Sequence, residues 1–115
     1  MQVEASLFSG RRNPTWHLSP TQANEFEQRL AQLPVGRPQP TPDGLGYRGL
    51  NVHITKQPTN DQSTIFVYKD VIRVTHQGAT QTYHDIGQRV EHWLVQSAQE
   101  HVPMDIFGIL KRVIQ

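Results

Sequence analysis

Residues 34–46 form a proline- and glycine-rich segment that suits neither a helix nor a β-sheet. The segment holds four prolines and three glycines in a chain of 115 residues. Proline lacks the amide hydrogen that helices and sheets require, and glycine destabilises the interior of both. We therefore expect a stiff surface arm here, too short to be a linker between domains, with a single domain formed by the residues on either side.

The residues before the arm have the pattern of one strand followed by one helix. Polar and apolar residues alternate over positions 2–7, as in a half-buried strand. Ser19 is the expected N-cap of the helix, Pro20 its first residue, and Gln22 is placed to close a capping box. Pro34 ends the helix. The apolar stripe of this helix consists of Ala23, Phe26, Leu30 and Leu33.

The residues after the arm are richer in strand patterns. Residues 50–55 alternate as a second strand, and residues 57–63 are predicted to form a polar loop. Residues 64–68 and 71–75 are rich in β-branched and aromatic side chains, which favours a hairpin, with a single bulged strand as the alternative. After the next turn, a short extended segment is expected over residues 80–83.

Two further segments are predicted to pack against this sheet. Asp85 is the expected N-cap of a second helix, with Gln88 three residues later. Residues 103–115 form an apolar C-terminal segment of ambiguous type, for which we favour a short helix capped by Asp105. The predicted inner face of the second helix consists of Ile86, Val90, Trp93, Leu94 and Ser97.

Together these patterns predict one α+β domain in the order β-α-β-β-β-α. The sheet is expected to contain about four mostly antiparallel strands, covered on one face by two helices. Trp16 and Trp93 are expected to lie in the core.

Three motifs resemble a set of small uncharacterised bacterial proteins. Residues 9–18 match an SGR-x-NP-x-W-x-L opening, residues 44–49 match a central GLGYRG, and residues 85–94 match a late D-x-G-x-x-x-E-x-W-L helix. The chain has Arg12 where that set commonly has proline. The resemblance covers nearly the whole chain and implies one complete domain, but it carries over no catalytic residue.

Composition excludes several classes of function. The net charge is only +1, so we expect no general binding of nucleic acid or acidic membranes. The absence of cysteine excludes disulfides, thiolate zinc sites and cysteine nucleophiles. No targeting segment or membrane span is apparent in the sequence, so the protein is expected to be soluble and cytoplasmic.

A cluster of arginines provides the candidate ligand site. Arg11, Arg12 and Arg48 would form a carboxylate or phosphate site if the turn at residues 9–14 lies near the turn at residues 44–49. Asn13 and Tyr47 complete this candidate set. The alternative is that the glycines are present because the turns require them. Each arginine would then stack on an aromatic ring or form an ion pair with a nearby carboxylate.

The sequence patterns typical of catalytic and metal sites are weaker than the arginine cluster. The six histidines show no HxH or HxxxH spacing, so no metal or other cofactor is predicted. No serine lies in a GxSxG motif, and no close carboxylate pair falls in a predicted pocket. We therefore expect a protein that is not an enzyme.

The apolar C-terminal segment provides a candidate interface. Phe107, Leu110 and Ile114 must be buried either on this domain or against another molecule. The leading hypothesis from the sequence is a module that binds a protein partner or a second copy of itself. The alternative is a binder of a small anion or a metal, using Arg11, Arg12 and Arg48 or the histidines.

Overall fold

A computed structural model describes residues 1–7, 12–37, 46–56 and 61–114 of the protein. Short 3-10 turns flank the second helix at Ile86–Gln88 and Ala98–Glu100. The strands and helices, in chain order, are β1 (Gln2–Ala5), β2 (Thr15–His17), α1 (Pro20–Ala31), β3 (Leu50–Lys56), β4 (Asp61–Tyr68), β5 (Val71–His76), β6 (Ala79–His84), α2 (Arg89–Ser97) and α3 (Met104–Val113).

Within the described residues the strands form one antiparallel sheet in the order β2-β1-β3-β4-β5-β6. The predicted α+β class and antiparallel sheet are confirmed. The prediction of about four strands in the order β-α-β-β-β-α is wrong in detail, because β2 pairs with β1 and a third helix follows α2. Strand β2 spans three residues, which is too short for an alternating pattern to be recognised.

The register of the sheet divides its side chains between an apolar face and a polar face. Val3 pairs with Val52 and Val52 with Ile65, so their side chains lie on the same face. The helices pack on this face, where Phe26 of α1 stacks on Trp93 of α2 at a centroid distance of 6.1 Å. Trp16 is buried, as predicted, and its indole donates a hydrogen bond to Ser97.

Helix α1 begins as the sequence predicts. The Ser19 hydroxyl accepts from the Gln22 amide at 3.1 Å, and the Gln22 side chain accepts from the Ser19 amide at 2.9 Å. The predicted apolar stripe faces the core, with Phe26 fully buried.

Helix α2 begins differently from the prediction. Asp85 does cap it, but its carboxylate reaches across a 3-10 turn to the amides of Val90 and Glu91, at 3.0 and 3.1 Å. Gln88 adopts a left-handed conformation and closes no capping box. The predicted inner face is also corrected, because Ile86 is 56% exposed whereas Glu91 and Val95 are buried.

Two predicted loops contribute to the sheet. Strand β4 begins at Asp61, inside the predicted loop at residues 57–63, of which 57–60 lie outside the described residues. In the proline-rich arm, Val35 forms a bridge with Tyr83, contrary to the prediction that the arm joins no ladder. A side chain at Gly36 would meet the Tyr83 backbone at 2.8 Å, so glycine permits this approach. Residues 38–45 lie outside the described part.

The apolar C-terminal segment forms helix α3. The helix begins after Pro103, so the prediction of a cap at Asp105 is wrong. Leu110 and Ile114 are buried in the core of this same chain. No helix in the described ranges is long and apolar enough to cross a membrane.

Candidate functional site

The polar face of the sheet, opposite the helices, contains a groove of about 570 Å³. It is mostly polar and includes two arginines. The described residues that line it are Ser6, Arg48, Asn51, Thr64, Phe66, Arg73, Thr75 and Thr80.

Strand pairing places these side chains in two rows across the sheet. Asn51 pairs with Phe66, and Phe66 pairs with Arg73, which gives one row across β3, β4 and β5. Thr64 and Thr75 are paired in the neighbouring row. Because residues two apart on a strand share a face, both rows point into the same groove.

Strand β1 and the segment before β3 position Arg48 at the end of the groove. The Arg48 amide donates to the Ser6 carbonyl at 2.7 Å, and the Ser6 amide donates to the Gly49 carbonyl at 2.9 Å. These bonds extend the pairing of β1 with β3 by one residue. The backbone of Arg48 is therefore held by the sheet.

A glycine and an aromatic ring shape the floor of the groove. Gly49 has a φ of 110°, and a Cβ at this position would lie 2.6 Å from the Phe66 ring. The absence of a side chain lets this ring lie across the end of β3. The Arg73 guanidinium lies over the ring, 4.6 Å from its centroid, in a cation–π contact that holds the guanidinium on the sheet.

The described lining of the groove contains two guanidiniums and no carboxylate. Glu4 lies on the same face, since it pairs with Asn51, but its carboxylate accepts from Asn13 at 3.3 Å and lies 3.9 Å from the His53 ring. Of the described residues that line the groove, the charged ones are therefore both arginines.

The two described members of the predicted arginine cluster line different pockets. Arg11 lies outside the described residues. Arg12 lines a different pocket from Arg48, beside His101 and Ile106, so the two side chains do not share one pocket. Asn13 has a structural role, because its side-chain oxygen accepts from the Leu7 amide at 3.1 Å.

Tyr47 points away from the groove, towards helix α2. Its hydroxyl donates to Glu91 Oε2 at 2.7 Å, and the Lys69 amide donates to the same oxygen at 2.8 Å. Burial of the phenol, and the Glu91 carboxylate beside it, raise the pKa of Tyr47 well above its ordinary value. Tyr47 therefore links the segment that carries Arg48 to α2 and to the β4–β5 turn.

Sequence reasoning missed Arg73 and Phe66. The signal was present in the alternation along β5, where Arg73 lies between Ile72 and Val74 and must face away from them. The sequence predicts the hairpin, but it does not show which side chains of the neighbouring strands lie beside Arg73 on the polar face.

The predicted interface residues lie mainly inside the molecule. Leu110 is fully buried, Ile114 is buried and Phe107 is half-buried against the core. They do not form an exposed apolar patch on the folded chain.

The histidines are spread over the described structure. His76 contacts the Ser63 hydroxyl at 2.8 Å, and His84 lies 3.9 Å from Asp70. Residues 1–7, 12–37, 46–56 and 61–114 contain no group of three or more side chains of the types that bind metals.

Comparisons of the chain with models of protein families, with curated proteins and with solved structures find no match.

Proposed function

We propose that the protein is a non-enzymatic binding module that holds a carboxylate or phosphate group in the groove on the polar face of its sheet. The observation that carries the proposal is that Arg48 and Arg73 line one groove together with hydroxyl and amide side chains. Arginine's planar fork suits bidentate contacts with both kinds of anion.

The remaining polar side chains of the groove support the same ligand chemistry. The hydroxyls of Ser6, Thr64 and Thr80 and the amide of Asn51 are hydrogen-bond donors of the kind that complete an anion site. The Thr75 and Thr80 hydroxyls lie 3.1 Å apart, so they are held in one place on the sheet. A ligand with an anionic group and further acceptor atoms matches this arrangement.

Binding is favoured over catalysis by the chemistry of the described lining. Arginine, serine, threonine, asparagine and phenylalanine side chains have no pKa near neutral pH. General acid–base catalysis works best with such a group in contact with the substrate. We therefore assign the groove a recognition role.

The hypothesis of a protein partner has less support at the residues predicted for it. Leu110 and Ile114 are buried in their own chain and would have to leave the core to contact another molecule. Large exposed apolar side chains such as Met104 and Val35 are common singly on protein surfaces. The anion site is therefore proposed ahead of a partner site.

The test is a titration with sodium phosphate and sodium succinate, followed by thermal unfolding and by backbone NMR shifts. Ligand that binds only the folded state raises the melting temperature through mass action. We expect this rise, with NMR shifts at Arg48, Asn51 and Arg73, and its loss in the double variant Arg48→Gln with Arg73→Gln.

Lys111→Gln with Arg112→Gln is the matched control, because both residues are exposed near the end of α3, outside the groove. It removes the same two positive charges and should leave the rise unchanged. If the control lost the rise in melting temperature to the same extent, the rise would depend on net charge and not on the groove. If the folded double variant kept the rise in melting temperature, the groove would be excluded as the anion-binding site.

A further inference from the structure

A second pocket of about 470 Å³ lies between the start of α2, the end of α3 and the β4–β5 turn. It combines two tyrosines and two aliphatic residues with a carboxylate. The described residues that line it are Tyr47, Tyr68, Lys69, Gln88, Glu91, Val113 and Ile114.

The carboxylate of Glu91 has unused hydrogen-bonding capacity. The residue is only 1% exposed, and both of its hydrogen bonds, from Tyr47 and from the Lys69 amide, fall on Oε2. Oε1 accepts no hydrogen bond from any described residue, and no described cationic side chain forms an ion pair with Glu91. A buried charge in this state is costly unless another group balances it.

A second carboxylate increases the negative charge at this place. Asp85 is fully buried and caps the same helix, where it accepts from the Glu91 amide at 3.1 Å. The positive end of α2 offsets part of the two charges, but a helix dipole corresponds to only about half an elementary charge. The region therefore favours a cation.

The walls of the pocket also favour a cation. The rings of Tyr47 and Tyr68 lie 5.6 Å apart at an angle of 38°, and their electron-rich faces attract positive charge. The Lys69 ammonium already lies 5.2 Å from the Tyr68 ring centroid. Lys69 is exposed at the rim, so its ammonium can move away.

We propose that this pocket binds a small methylated ammonium group. Its methyl groups would contact the two tyrosine rings, Val113 and Ile114, and its N–H would donate to Glu91 Oε1. The Lys69 ammonium competes with this ligand, because it occupies the face of the Tyr68 ring. The site is separate from the proposed anion groove, so neither proposal depends on the other.

The experiment uses the full chain and three probes of similar shape: trimethylammonium, tetramethylammonium and neutral tert-butanol. Affinity is measured by NMR titration at constant ionic strength. Trimethylammonium should bind most tightly, since it has both charge and an N–H, and tert-butanol should bind most weakly. Saturable shifts are expected at Tyr68, Gln88 and Glu91.

Three variants identify the contributing groups. Glu91→Gln retains an acceptor for Tyr47 and the Lys69 amide but removes the charge, and should weaken trimethylammonium binding about tenfold or more. Tyr68→Leu removes one ring from a half-exposed position and should also weaken binding, which keeps the test valid if Glu91→Gln does not fold. Lys69→Gln should strengthen binding.

Lys111→Gln is the matched control for the lysine, because the Lys111 ammonium makes a similar contact with Phe107 on α3, outside this pocket. It should leave the affinity unchanged. Equal binding of tert-butanol, weaker binding in Lys69→Gln, or no saturable shift in either wild type or Lys69→Gln would overturn the proposal.

Discussion

Tyr47 connects the segment before β3 to helix α2 through a single hydrogen bond to a buried carboxylate. Tyr47→Phe removes this bond but keeps the ring against Tyr68. Hydrogen bonds to charged groups are worth about 1.5–3 kcal/mol, so we expect the free energy of unfolding at neutral pH to fall by about 2 kcal/mol. Urea denaturation measures this change.

The same substitution should alter the pH dependence of stability. The folded state raises the pKa of Tyr47, so above about pH 10 the phenol of the unfolded chain loses its proton first. Wild-type stability should therefore fall as pH rises beyond this value, and Tyr47→Phe should show a smaller fall. Tyr83→Phe is the control, since the Tyr83 hydroxyl makes no hydrogen bond within the described residues. An unchanged alkaline slope in Tyr47→Phe would contradict the assignment.

Single residues of the candidate site were only partly predictable from the sequence. Arg48 was identified because it lies beside glycines that indicate a turn. Whether Arg12 shares a pocket with Arg48 was left open by the sequence, because a sequence gives no distance between two turns, and in the structure the two line different pockets. Arg73 was missed because its role depends on the register that pairs it with Phe66, and register is a property of the assembled sheet.

At the level of elements, the two capped helices differ in how their first amides are satisfied. Ser19 is partly exposed and caps one amide of α1, whereas Asp85 is fully buried and caps two amides of α2. Ser19→Ala should cost about 1 kcal/mol of unfolding free energy. Asp85→Ala should cost clearly more, because it leaves buried amides without partners.

Chemical denaturation of the two variants tests this order. Asp105→Ala is the control, because Asp105 lies in the first turn of α3 and makes no capping hydrogen bond. Its effect should be a few tenths of a kcal/mol. Equal losses for Ser19→Ala and Asp85→Ala would show that burial of the α2 cap does not matter.

Elements with a strong local signal were predicted well, and those determined by tertiary pairing were not. Helix α1 has a cap, an apolar stripe and a terminal proline, and all three are present in the structure. Strand β2 and the bridge at Val35 exist only because a partner strand lies beside them. The 3-10 turn before α2 depends on Gly87 and Gln88 at positive φ, which an amphipathic pattern does not reveal.

For the whole molecule, helix α3 completes the core that α1 and α2 begin. Leu110 is fully buried, and a buried Leu→Ala substitution costs about 2–5 kcal/mol. We expect Leu110→Ala to lower the free energy of unfolding within this range while the chain keeps its oligomeric state. Denaturation combined with analytical ultracentrifugation measures both quantities.

Met104→Ala is the control within the same helix, because Met104 is 90% exposed. It should change stability by less than about 0.5 kcal/mol. A small stability loss in Leu110→Ala together with lost self-association would instead mean that α3 acts between chains.

The position of β1 inside the sheet has a consequence for synthesis on the ribosome. Among the strands of this sheet β1 is made before the others, yet β3, one of its two neighbours, follows about fifty residues later. Strands β3 to β6 are joined by short connections and can pair as soon as they emerge, since hairpins form within microseconds. Until β3 emerges, Val3 and Ala5 lack the strand with which they pair in the folded chain.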